Sequence, residues 1–167
     1  ADSSPDLRAT ALDGLSALGG KASRRQLTEL AGRLPTPMGR LQALAALVTL
    51  DPTAAADLLP VVLAKSPTQG DPSGVARAFL ARKNGPGLLS RSLAGKTLAP
   101  DHAKLILRTI DASGRKLPEL VAATRTAGRL KTGPTRLSPE QMKTLVAEVG
   151  SRGNAERGEA VYRREKL

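Results

Sequence analysis

Apolar residues recur along the chain at intervals of three and four, the spacing that places side chains on one face of an α-helix. The first such stretch covers Asp6–Leu18, and Gly19-Gly20 ends it. The same pattern predicts helices over Ser23–Arg33, over Met38–Leu50, over Thr53–Lys65 with a kink at Pro60, from Asp71-Pro72 to about Arg82, around Leu88, Leu89 and Leu93, from Pro100-Asp101, from Leu117-Pro118 and over Ser138–Gly150. The chain therefore reads as helix, turn, helix throughout.

Local capping signals support these helix starts. Asp51-Pro52 and Asp71-Pro72 each place an N-cap carboxylate before a proline, which is tolerated in the first helical turn. Ser138 is followed three residues later by Gln141, the spacing of a capping box. Asn84–Gly87 predicts a turn between two helices, because Gly and Pro there favour loop geometry.

Apolar pairs also repeat at a spacing of about 32 residues. The pairs are Leu12 and Leu15, Leu44 and Leu47, Ala76 and Phe79, and Leu107 and Ile110. Such a period predicts an all-α, right-handed α-solenoid of helical hairpins, in which each hairpin buries its apolar stripe on its neighbours. The alternative is a compact multi-helix bundle. The stretch LQALAALVTLDPTAAADLLPVVLA resembles HEAT-like repeats.

Composition agrees with helices and restricts the chemistry. Aromatic residues make up 1% of the chain and there is no cysteine. Leu and Ala favour helices, whereas sheets favour β-branched and aromatic residues. Without cysteine, this chain holds no disulfide, thiolate zinc site, iron–sulfur cluster or covalently attached haem. No apolar run has the ~18 residues needed to span a bilayer.

The net charge of +11 indicates an anionic partner, unless the basic residues only solvate outer helix faces. Between Pro72 and Pro100 there are five basic residues and no acidic one, and a solenoid is expected to gather such residues along one ridge. The candidate surface comprises Arg77, Arg82, Lys83, Arg91, Lys96, Lys104, Arg108, Arg125 and Arg129. Nucleic acid is the alternative partner, although aromatic residues for base stacking are nearly absent.

No catalytic constellation is recognisable. His102 is the only histidine, lies in the first turn of a predicted helix and has no second metal-ligating His or Cys. It is interpreted as a surface or capping residue, and the chain as a non-enzyme. A helical-repeat DNA glycosylase would need base-excision residues that the sequence does not contain.

The final segment, Gly153–Leu167, reads GNAERGEAVYRREKL. Gly158 and Tyr162 are four residues apart, which places them on one face of a helix. The segment resembles the opening of a c-type cytochrome domain before its Cys-x-x-Cys-His motif. HEAT-like helices followed by such a segment are similar to multidomain haem-binding proteins of planctomycetes and verrucomicrobia, which carry a dehydrogenase-like propeller, HEAT-like repeats and a cytochrome c module.

This resemblance implies a HEAT-like domain over 1–150 and the first helix of a truncated cytochrome-like module over 151–167, where Gly158 and Tyr162 would pack against another helix. It implies a non-catalytic scaffold that links a dehydrogenase-like domain to a cytochrome c domain. Haem c is expected in the adjacent module and no cofactor in this chain. The implied partners are neighbouring domains or an acidic redox protein, and the implied location is periplasmic, secreted or membrane-associated through the parent protein.

Overall fold

In the computed structural model, which describes residues 5–65, 69–130, 138–156 and 159, the chain is all-α. The described part contains nine helices and no strand. The helices are α1 (Pro5–Leu18), α2 (Gly20–Arg33), α3 (Pro37–Leu50), α4 (Pro52–Ala64), α5 (Ser73–Leu80), α6 (Gly85–Leu93), α7 (Pro100–Ala112), α8 (Pro118–Ala127) and α9 (Pro139–Arg152). The predicted fold class is confirmed at this level.

Helices that are adjacent in sequence pack as hairpins, and the hairpins contact one another in order. The odd-numbered helices α1, α3, α5 and α7 pack successively, as do the even-numbered helices α2, α4, α6 and α8. We call these two sets layer A and layer B. Each hairpin therefore contributes one helix to each layer, and the apolar side chains meet between them.

The core consists almost entirely of aliphatic side chains. The predicted 32-residue pairs all lie in layer A, where each is buried or half-buried. Phe79 is fully buried and is the largest side chain of this core. The other fully buried large side chains are Leu27, Leu44, Leu47, Leu59, Leu89, Leu93, Ile106, Ile110, Leu120, Val48 and Val62.

Two of the predicted N-caps form as expected. The Ala54 N–H donates to Asp51 Oδ1 at 3.0 Å, and Pro52 occupies the first turn of α4. Ser138 and Gln141 make the reciprocal bonds of a capping box at the start of α9. At α5 the cap is shifted, since the helix begins at Ser73, but Asp71 Oδ1 still accepts the Ser73 N–H at 2.8 Å.

The predicted turn over Asn84–Gly87 is wrong in its extent. Helix α6 begins at Gly85, so the Gly-Pro-Gly sequence forms its first turn. Proline is compatible with this position because the first N–H groups of a helix have no intrahelical acceptor. Helix α5 also ends at Leu80, earlier than the predicted Arg82. The connection between the two helices is correspondingly tight.

Basic side chains bond to carbonyl oxygens of the preceding hairpin at separations near the repeat length. Lys65 Nζ donates to Gly32 O at 2.8 Å, and Arg82 Nη2 donates to Thr49 O. Arg115 Nη1 donates to Leu80 O at 2.6 Å. These bonds use carbonyls near helix C-termini, which lack intrahelical donors. They thereby join successive hairpins by polar contacts in addition to the apolar core.

The chain divides into two compact units, Ala1–Lys131 and Thr132–Leu167. The first contains α1–α8. The second contains α9, which exposes Met142, Leu145, Val146 and Val149 at helical spacing. The assignment of 151–167 to a cytochrome-like module stays a prediction, because most of that segment lies outside the described residues.

We expect Asp51→Ala to lower the free energy of unfolding by about 0.5–2 kcal/mol at neutral pH. The hydrogen bond from Ala54 N–H, opposed by partial burial and assisted by Arg24, holds the pKa of Asp51 below its ordinary value of 3.8. Because the folded pKa is lowered, this stabilisation is fully present above pH 3.8 and is lost as pH falls through the folded value.

Urea unfolding of wild type and variant at a series of pH values measures this difference. Asp57→Ala is the control, because that side chain is exposed on the same helix. A deficit of Asp51→Ala that persists unchanged at pH values well below the folded pKa would contradict the assignment.

Candidate anion-binding groove

The nine basic residues proposed as an anionic-partner surface come from both layers and from the connections between helices. Arg77, Lys104 and Arg108 belong to layer A, and Arg91 and Arg125 to layer B. The remaining four lie in connections, namely Arg82, Lys83, Lys96 and Arg129. The expectation that the repeat gathers them along one ridge stays a prediction.

Several of these side chains already have partners within the protein. Arg82 donates to Thr49 O in the preceding hairpin. Lys104 Nζ lies 3.0 Å from Asp101 Oδ1, and Arg91 Nε donates to Gly87 O at 3.4 Å. Arg125 is half-buried in α8. These residues contribute positive potential, but they are less available to an external anion.

Arg77 and Arg108 meet at one groove of about 310 Å³ between α5 and α7. Both side chains are exposed, and neither makes a hydrogen bond or a close ion pair among the described residues. The groove is also lined by Ser73, Leu80, Thr109, Ala112 and Ser113. Ser73, Arg77 and Leu80 are spaced at i, i+4 and i+7, so α5 presents them on one face.

The hydroxyl groups in the groove are committed as donors. Thr109 Oγ1 donates to Leu105 O at 2.8 Å, and Ser113 Oγ donates to Ile110 O at 2.6 Å. The guanidinium groups of Arg77 and Arg108 are therefore the cationic donors that remain for a ligand. A planar guanidinium binds carboxylate or phosphate oxygens through paired hydrogen bonds.

Asp71 supplies a negative charge beside this groove. Burial raises the pKa of Asp71, but hydrogen bonds from the Ser73 hydroxyl and N–H, with the charge of Arg77, outweigh it and lower the pKa overall. Asp71 is thus ionised at neutral pH. It attracts Arg77 without forming a close ion pair, so part of the positive potential of the groove is balanced internally.

His102 is not a surface residue, and its sequence interpretation is wrong. Its side chain is 3% exposed, and Nε2 lies 3.2 Å from Gln69 O, which fixes the proton on Nε2 because a carbonyl only accepts. Its Nδ1 is buried without a hydrogen-bond partner among the described residues. The available signal was its spacing of four residues from Ile106, which places both on the buried face of α7.

Asp71, Ser73 and His102 do not constitute a catalytic triad. The Ser73 hydroxyl bonds to Asp71, whereas the histidine bonds to a backbone carbonyl, so no serine–histidine pair activates a nucleophile. Within the described ranges, no group of three His, Cys, Asp or Glu side chains is positioned to hold a metal ion.

The predicted packing residues Gly158 and Tyr162 lie outside the described residues. Across the described ranges, every helix is too short or too polar to cross a bilayer. Comparison of the chain with protein-family models, curated proteins and solved structures found no match.

Proposed function

We propose that the chain is a non-catalytic α-solenoid of HEAT-like hairpins that serves as a scaffold and docking module. The observation that carries this proposal is the ordered stacking of four hairpins, α1–α2 to α7–α8, in two layers. In such an architecture each hairpin contacts its neighbours and the stack presents a long surface, which suits binding of another protein rather than enclosure of a small substrate.

The net charge of +11 favours an acidic partner, and the groove between α5 and α7 supplies two available guanidinium groups. Complementary charge accelerates association and orients the partner. A redox domain with an acidic surface is a partner of this kind. The resemblance of GNAERGEAVYRREKL to the start of a cytochrome c domain supports a role in holding such a domain near a dehydrogenase-like domain of the same protein.

The parent-protein role is tested on the full-length gene product. We expect its coding sequence to specify a Cys-x-x-Cys-His motif after Leu167 and a dehydrogenase-like domain before Ala1. The full-length protein should retain haem through denaturing electrophoresis, since c-type haem is covalently attached. A gene product without that motif, and without covalent haem, would remove the electron-transfer part of the proposal.

Nucleic-acid binding is the second candidate function, favoured by the acid-free stretch between Pro72 and Pro100. Binding of this kind would weaken steeply between low and moderate salt, because phosphate contacts release counterions. Retention of DNA or RNA by the protein at ~50 mM salt supports this candidate. A protein that retains neither at this salt concentration is not a nucleic-acid-binding module.

A further inference from the structure

We propose that the groove between α5 and α7 is a carboxylate-binding site, in which Arg77 and Arg108 hold acidic side chains of a partner protein. This inference rests on the docking function proposed above and assigns it to a defined surface. It also reduces the nine-residue basic surface to two residues that act together.

The geometry selects these two arginines from the nine. They come from successive layer A helices and face one groove, whereas the other basic residues are dispersed or bonded within the protein. Their side chains are exposed, and within the described part of the chain neither guanidinium has a hydrogen-bond partner. An arginine that is not already paired has more to gain from a carboxylate, since the bond is charge-assisted at both ends.

The surroundings favour a carboxylate-bearing peptide over a polyphosphate chain. Asp111 lies three residues after Arg108 on the exposed face of α7, and Asp71 flanks Arg77. A continuous phosphate backbone would meet these carboxylates, whereas a peptide can place its acidic side chains selectively. Leu80 and Ala112 add apolar surface to the lining of the groove, which suits side-chain methylene groups.

Among the described residues, the groove lacks the aromatic side chains on which nucleobases would stack. Single-stranded nucleic acids are bound by aromatic platforms in addition to basic grooves. Phe79 is a fully buried residue of α5, and no aromatic residue lines the groove. The ligand class that fits the two guanidiniums is therefore an acidic peptide segment.

The test compares two double variants with identical formal charge. Arg77→Glu/Arg108→Glu reverses the groove arginines. Arg25→Glu/Arg91→Glu reverses two exposed arginines of layer B and is the matched control. Fluorescence anisotropy measures binding of a labelled peptide of alternating glutamate and alanine, and of a labelled oligothymidylate of equal length, at ~50 mM salt. Circular dichroism verifies that each variant is folded.

We expect the groove variant to bind the acidic peptide at least about tenfold more weakly than the control variant does. Arg77→Lys/Arg108→Lys should fall between wild type and the groove variant, because lysine keeps the charge but loses the paired hydrogen bonds. A peptide affinity that is equal in the two Glu variants would overturn the groove assignment while leaving the docking function intact.

The remaining outcomes separate this inference from the proposed function. If wild-type protein does not bind the acidic peptide, the docking function and the groove both fail. If wild-type protein binds oligothymidylate more tightly than the peptide, nucleic-acid binding replaces both. Preferential peptide binding that depends on Arg77 and Arg108 supports the inference.

Discussion

Phe79→Ala is expected to lower the free energy of unfolding of the first unit by about 3–5 kcal/mol. Phe79 is fully buried in α5, and α5 packs against α3, α6 and α7. Truncation leaves a cavity among these helices, because the surrounding backbone relaxes only partly. Among the described residues Phe79 is the only phenylalanine and has the largest fully buried side chain, so no second phenyl ring can refill the space.

Urea unfolding followed by circular dichroism measures this loss as a shift of the midpoint at constant slope. Val61→Ala is the control, since Val61 is 52% exposed and its truncation should change stability by no more than about 0.5 kcal/mol. Equal midpoints for the two variants would show that Phe79 does not occupy the centre of the hairpin stack.

Gly85→Ala is expected to destabilise the same unit by about 1–3 kcal/mol, through overpacking rather than cavity formation. A Cβ atom at position 85 would overlap the carbonyl oxygen of Phe79 and lie 3.1 Å from Arg82 Cβ. The Phe79 carbonyl already accepts the Arg82 N–H at 3.0 Å. The backbone connection from α5 to α6 must therefore open to admit a methyl group.

The neighbouring Gly87 offers a closely matched control. It lies in the same first turn of α6, and a Cβ atom there would meet nothing within 4 Å. We expect Gly87→Ala to be neutral or to stabilise by up to about 1 kcal/mol, because alanine restricts the unfolded chain. If Gly85→Ala and Gly87→Ala unfold at the same urea concentration, the close approach of α6 to the Phe79 carbonyl is not present in solution.

Features that depend on neighbouring residues could be predicted from the sequence. The Asp51-Pro52 and Ser138–Gln141 caps form as expected, because each involves backbone groups within three residues. The prediction of a turn over the whole of Asn84–Gly87 was wrong, and the reason for this is also local. Gly and Pro are common both in turns and in the first turn of a helix, so their presence does not distinguish the two.

Features that depend on packing between hairpins could not be predicted in the same way. His102 Nε2 bonds to the carbonyl of Gln69, and Arg82 bonds to the carbonyl of Thr49, each partner being 33 residues away along the chain. The sequence signal for the Arg82–Thr49 contact was a basic residue that recurs shortly after layer A helices, at Arg82 and Arg115. The carbonyl that each arginine reaches could be identified only once it was known which helices stack.

The candidate site also combines features that the sequence predicts with features that depend on packing between hairpins. The excess of basic residues is evident from the sequence, but a linear charge count cannot tell a paired arginine from an available one. Arg77 and Arg108 are 31 residues apart and share a groove only because α5 and α7 are successive members of layer A. The hydrogen bond from Arg82 to the Thr49 carbonyl likewise depends on the fold, whereas the ion pair of Lys104 with Asp101 is a local contact within α7.

The central claim is that this chain is a docking module for an acidic protein partner, and titration calorimetry of the wild-type chain tests it most directly. The glutamate–alanine peptide is titrated at ~50 mM salt and again at higher salt, with a glutamine–alanine peptide of the same length as the uncharged comparison. We expect saturable binding of the acidic peptide that weakens as salt screens the charges, and no binding of the uncharged peptide. Absence of binding at low salt, or equal binding of the two peptides, would contradict the central claim.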